Sequence, residues 1–227
     1  MSDKGEVSHR NADFSLIETL LWTRTEGFFL FAEHLARLEK SCAALGFSCD
    51  AGRAAAALAR AVAEPAGERL RVRLEWNPRG EALVGAAAIE PVPASALWTV
   101  QPAQAHLSSA NPLLAHKTTR RDIFEGEFAR AAKEGADEVL FLNERGEVCE
   151  AARMNVFLPR DGALLTPPVS CGLLPGTLRG RLLAEGRARE ALLQLEDFAG
   201  VEFYLGNSVR GLVRARLSGR APPQETC

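Results

Sequence analysis

Apolar and polar residues follow two different periods in the first hundred residues. Between residues 35 and 45 the apolar positions recur every third or fourth residue, which predicts a helix that ends near Gly46. Asp50 is placed to cap a second, alanine-rich helix. Residues 69–76 alternate charged and apolar side chains, which predicts a half-buried strand with a charged outer face. The apolar run at residues 28–31 predicts a further short strand.

Short apolar runs separated by turn residues dominate the second half of the chain. A helix is predicted after Lys117, ending near Gly135, and another is predicted from Pro175 to Gly186. The remaining runs predict strands at residues 138–142, 148–150, 155–158, 163–166, 191–195, 202–205 and 212–217. The whole pattern predicts an α+β fold.

Four prolines fall between residues 91 and 112 and disfavour a continuous element there. We therefore expect a small N-terminal α+β domain at residues 1–100 and an interdomain connector at residues 101–112. A larger, strand-rich C-terminal domain is expected at residues 113–227.

Composition narrows the class of protein further. The 227 residues are 47% hydrophobic and 25% charged with a net charge of −2, so the balance favours neither nucleic acid nor an anionic membrane as partner. No apolar run approaches the roughly 20 residues that span a bilayer. The five cysteines form no CxxC pair, which argues against a metal site. The polar residues 1–11 do not resemble a secretory signal. These features predict a cytoplasmic location.

Lys117 lies at an element boundary, between a turn-rich segment and a predicted helix. It is part of the run His-Lys-Thr-Thr-Arg-Arg at residues 116–121. By itself such a lysine is more often a solvated surface charge. Three later segments give it a context: residues 143–157, which contain Cys-Glu-Ala-Ala-Arg-Met-Asn, residues 165–179, which contain Leu-Leu-Pro-Gly-Thr-Leu, and residues 206–212, which contain Gly-Asn-Ser-Val-Arg-Gly.

In this order and spacing the segments resemble the class IV aminotransferases, the fold-type-IV enzymes that use pyridoxal 5′-phosphate (PLP). The likeness extends from about Phe14 to Leu217. It implies a small α/β N-terminal domain and a strand-rich pseudo-barrel C-terminal domain. Within the family the strings at residues 14–19, 116–121 and 207–211 are most similar to 4-amino-4-deoxychorismate lyase. They are closest to the lyase domain found fused to aminodeoxychorismate synthase component I.

The resemblance implies roles for individual residues. Lys117 matches the lysine that binds PLP covalently and serves as the catalytic base. Glu150 matches the acidic residue opposite the pyridine nitrogen, and Asn155 completes its Glu-x-x-x-x-Asn pattern. The residues that match the phosphate site are Arg37, Gly176, Thr177, Leu178, Asn207 and Ser208. Thr19, Arg153 and Arg210 are candidates for substrate contact, although both arginines equally suit surface ion pairs.

Two residues depart from the family pattern. Phe124 stands where many members carry a tyrosine, and it has no hydroxyl to donate. Ala151 replaces a glycine after the glutamate. The implied activity is a PLP-dependent lyase that releases pyruvate and 4-aminobenzoate. A transaminase acting on branched-chain or D-amino acids is the first alternative, and a non-catalytic PLP-binding relative is the second.

The resemblance also implies partners. We expect a small-molecule substrate, a homodimer, and a functional link to aminodeoxychorismate synthase. No nucleic acid and no membrane partner are expected.

Overall fold

The computed structural model describes residues 13–218, and these residues divide into two compact units. The first comprises residues up to Glu90 together with His116–Arg120, and the second comprises Pro91–Ala115 and the chain from Arg121 onward. Residues 1–12 and 219–227, at the two ends of the chain, lie outside the described residues.

The first unit is a four-stranded sheet with two helices. Its strands are β1 (Leu16–Thr23), β2 (Gly27–Phe28), β3 (Arg69–Trp76) and β4 (Ala82–Ala88), in the order β2-β1-β3-β4 with antiparallel pairing. The helices are α1 (Phe31–Leu45) and α2 (Ala51–Ala61). Leu70, Val72, Leu74 and Trp76 are fully buried, as the alternation predicts.

Local signals place both helices. Gly46 ends α1 with φ of 68°, a left-handed conformation that glycine adopts without strain. Asp50 caps α2 by accepting a hydrogen bond from the Arg53 N–H at 2.9 Å. The predicted strand at residues 28–31 is wrong beyond Phe28, because Leu30 adopts φ of 54° and the chain turns directly into α1.

The second unit is built on an eight-stranded mixed sheet in the order β10-β9-β8-β11-β12-β5-β6-β7. These strands are β5 (Leu97–Pro102), β6 (Glu138–Leu142), β7 (Val148–Ala151), β8 (Asn155–Arg160), β9 (Ala163–Thr166), β10 (Ala188–Glu190), β11 (Phe203–Asn207) and β12 (Gly211–Leu217). The second unit also contains two helices, α3 (Asp122–Lys133) and α4 (Thr177–Ala184). The architecture of both units is α+β, as predicted.

The sheet curls toward closure. The Val148 N–H in β7 donates to the carbonyl of Leu193 at 2.8 Å, which joins one edge strand to the segment that follows the other. This is the pseudo-barrel arrangement that the resemblance implies. The predicted strand at 191–195 is wrong, since the strand ends at Glu190 and a 3₁₀ helix follows at Leu195–Phe198.

The predicted connector, residues 101–112, belongs to the second unit. β5 pairs in parallel with both β12 and β6, so it lies inside the large sheet. Residues 116–120 instead pair with β1 and belong to the first unit. The positions of prolines carry no information about these long-range pairings. The boundary between the two units therefore differs from the predicted domain boundary.

Candidate active site

The main chain of Lys117 is fixed against β1. Its carbonyl accepts a hydrogen bond from the Ile17 N–H at 2.7 Å, and the Thr119 N–H donates to the Ser15 carbonyl at 2.9 Å. Thr118 lies opposite Leu16 in an antiparallel bridge. Because directly opposed residues point to the same side of a sheet, Lys117 projects from the face opposite to that of Leu16 and Thr118.

The face that carries Lys117 also carries Thr19 and charged residues of β3. Thr19 lies opposite Arg73, and Leu21 lies opposite Arg71. Arg71, Arg73 and Glu75 line a shallow groove of about 360 Å³ with Leu83, Gly85 and Ala87. Arg73 forms an ion pair with Glu75. Thr19 was predicted from the sequence, whereas the arginines of β3 were interpreted as a solvated face.

Arg37 lies on the other side of this sheet. Its Nε donates to Oε1 of Glu18 at 2.9 Å and its Nη2 donates to Oε2 at 2.6 Å. His34 Nδ1 lies 2.5 Å from the same Oε2 atom. Glu18 alternates with Thr19 and shares the helix-covered face with Leu16 and Leu20. The phosphate contact predicted for Arg37 stays a prediction, and the structure assigns two of its nitrogens to Glu18.

Burial raises the pKa of Glu18, but the Arg37 guanidinium and the hydrogen bonds from His34 and Arg37 lower it further, to about 2. The carboxylate is therefore ionised under all ordinary conditions. It joins β1 to α1 through a buried charged cluster.

In the second unit, the side chains of Glu150 and Asn155 both form hydrogen bonds with the backbone of Leu174. The Leu174 N–H donates to Oε1 of Glu150 at 3.1 Å, and Nδ2 of Asn155 donates to the Leu174 carbonyl at 2.9 Å. Both side chains are buried. The two residues that the Glu-x-x-x-x-Asn pattern singled out thus hold the chain just before α4.

Gly176 is the N-cap of α4, and Thr177 and Leu178 form its first turn. A helix N-terminus presents unpaired N–H groups and a positive dipole end, which suits an anion. A Cβ atom on Gly176 would lie 2.0 Å from Oδ1 of Asn155, so only glycine fits. Gly176, Thr177 and Leu178 therefore lie directly beside Asn155.

Asn207 builds a compact loop at the end of β11. Its Oδ1 accepts hydrogen bonds from the N–H groups of Val209 at 3.0 Å and Arg210 at 2.9 Å, an Asx turn. Its Nδ2 donates to the Arg153 carbonyl at 3.2 Å. Ser208 is buried within the same loop. The turn after Glu150 and the loop at 207–210 are thereby joined.

Arg153 and Arg210 are both exposed, and each packs on an aromatic ring. The Arg153 guanidinium lies 3.9 Å from the centroid of Phe128, and that of Arg210 lies 5.5 Å from the ring of Trp98. Phe124, the residue that departs from the tyrosine of many relatives, is buried against Phe141 with the ring centroids 4.9 Å apart. Its ring serves the core of the second unit.

Sequence reasoning overlooked two charged groups beside the turn that follows Glu150. Arg121 donates to the Ala152 carbonyl and stacks over Phe124. Glu138 is almost fully buried at the start of β6, and burial raises its pKa to about 7 although Arg153 and Arg121 favour its ionised form. The sequence signal for Glu138 is weak, since nothing in a strand pattern tells a buried glutamate from an exposed one.

Comparison with known proteins identifies the family to which the chain belongs. The family model for amino-transferase class IV matches residues 15–217. The chain belongs to the class IV aminotransferase family. It is therefore a PLP-dependent enzyme of that family. Within the second unit, the helix N-terminus at Gly176 suits an anionic group and the buried carboxylate of Glu150 suits a protonated ring nitrogen, and PLP has both groups.

Three relatives illustrate the range of the family. A proposed aminodeoxychorismate lyase of Schizosaccharomyces pombe is 30% identical over 219 residues, which are 94% of this chain and 93% of that protein. The crystal structure of a candidate amino-acid aminotransferase from Mesorhizobium loti is 44% identical, with a TM-score of 0.87, over 91% of this chain and 100% of the other. The PLP-bound form of a hypothetical aminotransferase from Mycobacterium tuberculosis is 26% identical, with a TM-score of 0.76, over 92% and 83% of the two chains.

Within residues 13–218, no cluster of three or more His, Cys, Asp and Glu side chains is arranged to hold a metal ion. No helix in this part of the chain is long and apolar enough to cross a membrane.

Proposed function

We propose that the protein is a 4-amino-4-deoxychorismate lyase, which releases pyruvate and 4-aminobenzoate, a folate precursor. The observation that carries the proposal is the presence of two arginines on the sheet face that also carries Lys117. Arg71 and Arg73 lie on that face with Thr19 between them and the lysine strand. The proposed substrate has two carboxylates, and arginine binds carboxylates with paired hydrogen bonds.

PLP would be held mainly by groups that the second unit brings together. The N-terminus of α4 and the 207–210 loop would bind its phosphate, and Glu150 would face its ring nitrogen. When bound, PLP supplies an electron sink for a substrate carbanion. A carboxylate at Glu150 favours a protonated, positive ring, which is the form that accepts electrons best.

Lys117 would carry the proton transfers. With PLP bound, Lys117 would act as the general base that removes the proton from the substrate ring carbon that bears the amine. The bond between the ring and the oxygen of the enolpyruvyl group breaks, and the ring becomes aromatic. The proton returns to the methylene carbon of the enolpyruvyl group to give pyruvate. Atoms and electrons balance with neither water nor an oxidant.

A transaminase is the second candidate, and one specific observation favours it. The Mesorhizobium loti relative, a candidate amino-acid aminotransferase, is 44% identical over its whole length, whereas the Schizosaccharomyces pombe relative is 30% identical. Overall identity tracks the fold and the cofactor site, however, and substrate choice depends on the few residues that line the substrate pocket. The charged residues on the Lys117 face support the lyase.

The deciding experiment supplies aminodeoxychorismate without any keto acid. A lyase regenerates its starting form in every cycle, so pyruvate and 4-aminobenzoate should accumulate over many turnovers. Lys117→Ala is the matched control and should give neither product. A single turnover without pyruvate, together with keto-acid-dependent consumption of leucine or D-alanine, would assign the transaminase. No turnover of either kind in PLP-loaded protein would reject both activities.

We further propose a homodimer that works with aminodeoxychorismate synthase, the enzyme class that supplies this substrate. The strand β4 supports association, because it is an edge strand of its sheet and the outer side of an edge strand tends to pair with another chain. Sedimentation of a monomer alone at micromolar concentration would reject the dimer. The four cysteines in residues 13–218 are free thiols, which supports a reducing, cytoplasmic location.

A further inference from the structure

The turn between Glu150 and Asn155 is fixed by side chains from distant parts of the second unit. The Ala151 N–H donates to the Met154 carbonyl at 2.8 Å and closes the turn. Within the turn, the carbonyls of Ala152 and Arg153 each accept a hydrogen bond from a side chain. Arg121 Nη2 donates to that of Ala152, and Asn207 donates to that of Arg153. The direction of the turn therefore depends on these two donors.

Arg121 is the charged member of this pair. Its guanidinium lies 4.9 Å from the centroid of the Phe124 ring, in the first turn of α3. Burial lowers the pKa of Arg121, while the charges of Glu150 and Glu125 raise it and that of Arg153 lowers it. An arginine keeps its proton in such surroundings. A fixed positive charge is thus held near the Glu150 carboxylate.

The Phe124 ring restricts the positions that the Arg121 guanidinium can adopt. A guanidinium stacked on a ring loses little further freedom when it forms a hydrogen bond, because the planar group is already oriented. The Phe124 ring is itself locked against Phe141 in the core. A tyrosine hydroxyl at this position is absent, and the ring instead supports an arginine.

We propose that Arg121 is a positioning residue for Glu150: stacked on Phe124, it fixes the 151–154 turn and thereby the position of the Glu150 carboxylate. The inference rests on the proposed role of Glu150 opposite the cofactor ring nitrogen. It requires neither the lyase nor the transaminase assignment.

The test compares Arg121→Met with Arg120→Met. Methionine keeps most of the apolar contact with Phe124 and removes both the donor and the charge. Arg120 is the matched control, since it is the adjacent arginine, lies over the ring of Phe14 and pairs with Asp13 with 52% of its side chain exposed. Two readouts need no substrate: hydrogen exchange of residues 148–156 in the apoprotein, and the Kd for PLP.

Arg121→Met should speed exchange at residues 151–155 and weaken PLP binding by about tenfold or more, in line with the cost of misplacing a catalytic group. The absorbance of the bound cofactor should also change its dependence on pH. Arg120→Met should leave all three readouts within about twofold of the parent. Values within about twofold for Arg121→Met, or equal effects in both variants, would overturn the proposal.

Arg121→Lys covers the case in which Arg121→Met does not fold. Lysine keeps the charge but loses the planar group, so faster exchange confined to residues 151–155 supports the proposal. Faster exchange spread over the whole second unit would overturn it, because Arg121 would then have a general structural role. If the parent protein fails to bind PLP, the proposed function is wrong, and the exchange measurement still decides whether Arg121 fixes the turn.

Discussion

Oδ1 of Asn155 lies 2.0 Å from the point where a Cβ atom of residue 176 would be placed. The backbone of Gly176 has φ of −64°, which any residue can adopt, so close approach alone requires glycine here. Asn155 cannot easily move away, because its Nδ2 is bonded to the Leu174 carbonyl. The start of α4 and the end of the Glu150 turn are therefore fitted to each other.

Gly176→Ala should weaken PLP binding by about tenfold or more and destabilise the fold by about 1–3 kcal/mol, because the methyl group displaces Asn155. Gly180→Ala is the matched control in the same helix. A Cβ there meets no atom within 4 Å, so alanine should stabilise the protein by about 0.5–1 kcal/mol. Thermal unfolding and titration with PLP measure both effects. Unchanged PLP affinity in Gly176→Ala would contradict the assignment of the phosphate site.

Glu150→Gln should keep the cofactor and lose most of the activity. The amide oxygen can still accept the Leu174 N–H, so the local structure should survive. A neutral amide cannot hold a protonated ring nitrogen, and the substrate carbanion loses its electron sink. Glu39→Gln, on the exposed side of α1, is the control. Turnover within about twofold of the parent, roughly 0.4 kcal/mol on the barrier, would show that Glu150 has another role.

Glu18 should make the protein sensitive to acid. Its pKa is about 2 in the folded protein and near 4.5 as a free side chain, so it stabilises the fold above pH 4.5 and loses this effect as the pH falls toward 2. The full contribution is roughly 3 kcal/mol. Denaturant unfolding between pH 2 and 6 should show this slope in the parent and a weaker one in Glu18→Gln. Glu68→Gln, whose carboxylate is exposed and pairs with Arg24, should keep the parent slope.

Glu138 should lower the stability of the protein as the pH rises, which is the opposite of the effect of Glu18. Burial raises its pKa to about 7, so the folded protein binds this proton more tightly than the unfolded chain does. The stabilisation is complete below pH 4.5 and is lost as the pH rises through 7. Glu138→Gln should therefore gain stability relative to the parent between pH 5 and 8, by roughly 3 kcal/mol if the shift is fully expressed. A pH-independent difference between the two proteins would contradict the shift.

The sequence predicted those parts of the structure that local rules decide. The strand at residues 69–76 follows from strict alternation, and the start of α2 follows from the Asp50 side chain. The grouping of Glu150 with Asn155 was also expected, although only the structure shows their common target, Leu174. The roles proposed for these residues come from the family resemblance. The requirement for glycine at position 176 became visible only from its packing against Asn155.

What escaped prediction depends on contacts between distant segments. Arg120 and Arg121 are neighbours in one basic run, and no local pattern reveals that one is exposed while the other is half-buried against Phe124. Glu18 and Arg37 are 19 positions apart on a strand and a helix, so their pairing requires knowledge of how α1 packs on β1. Leu30 entered a left-handed conformation that a leucine rarely adopts, and the predicted strand failed there.

The return of residues 116–120 to β1 constrains the order in which the protein can fold during its synthesis. The hydrogen bond between Ser15 and Thr119 spans 104 positions, so the first unit cannot be completed until the start of the second has left the ribosome. Until then the Ser15–Ile17 edge of β1 lacks its pairing partner. An open strand edge invites pairing with another chain, so a nascent chain that stalls near Glu90 would expose an aggregation-prone edge.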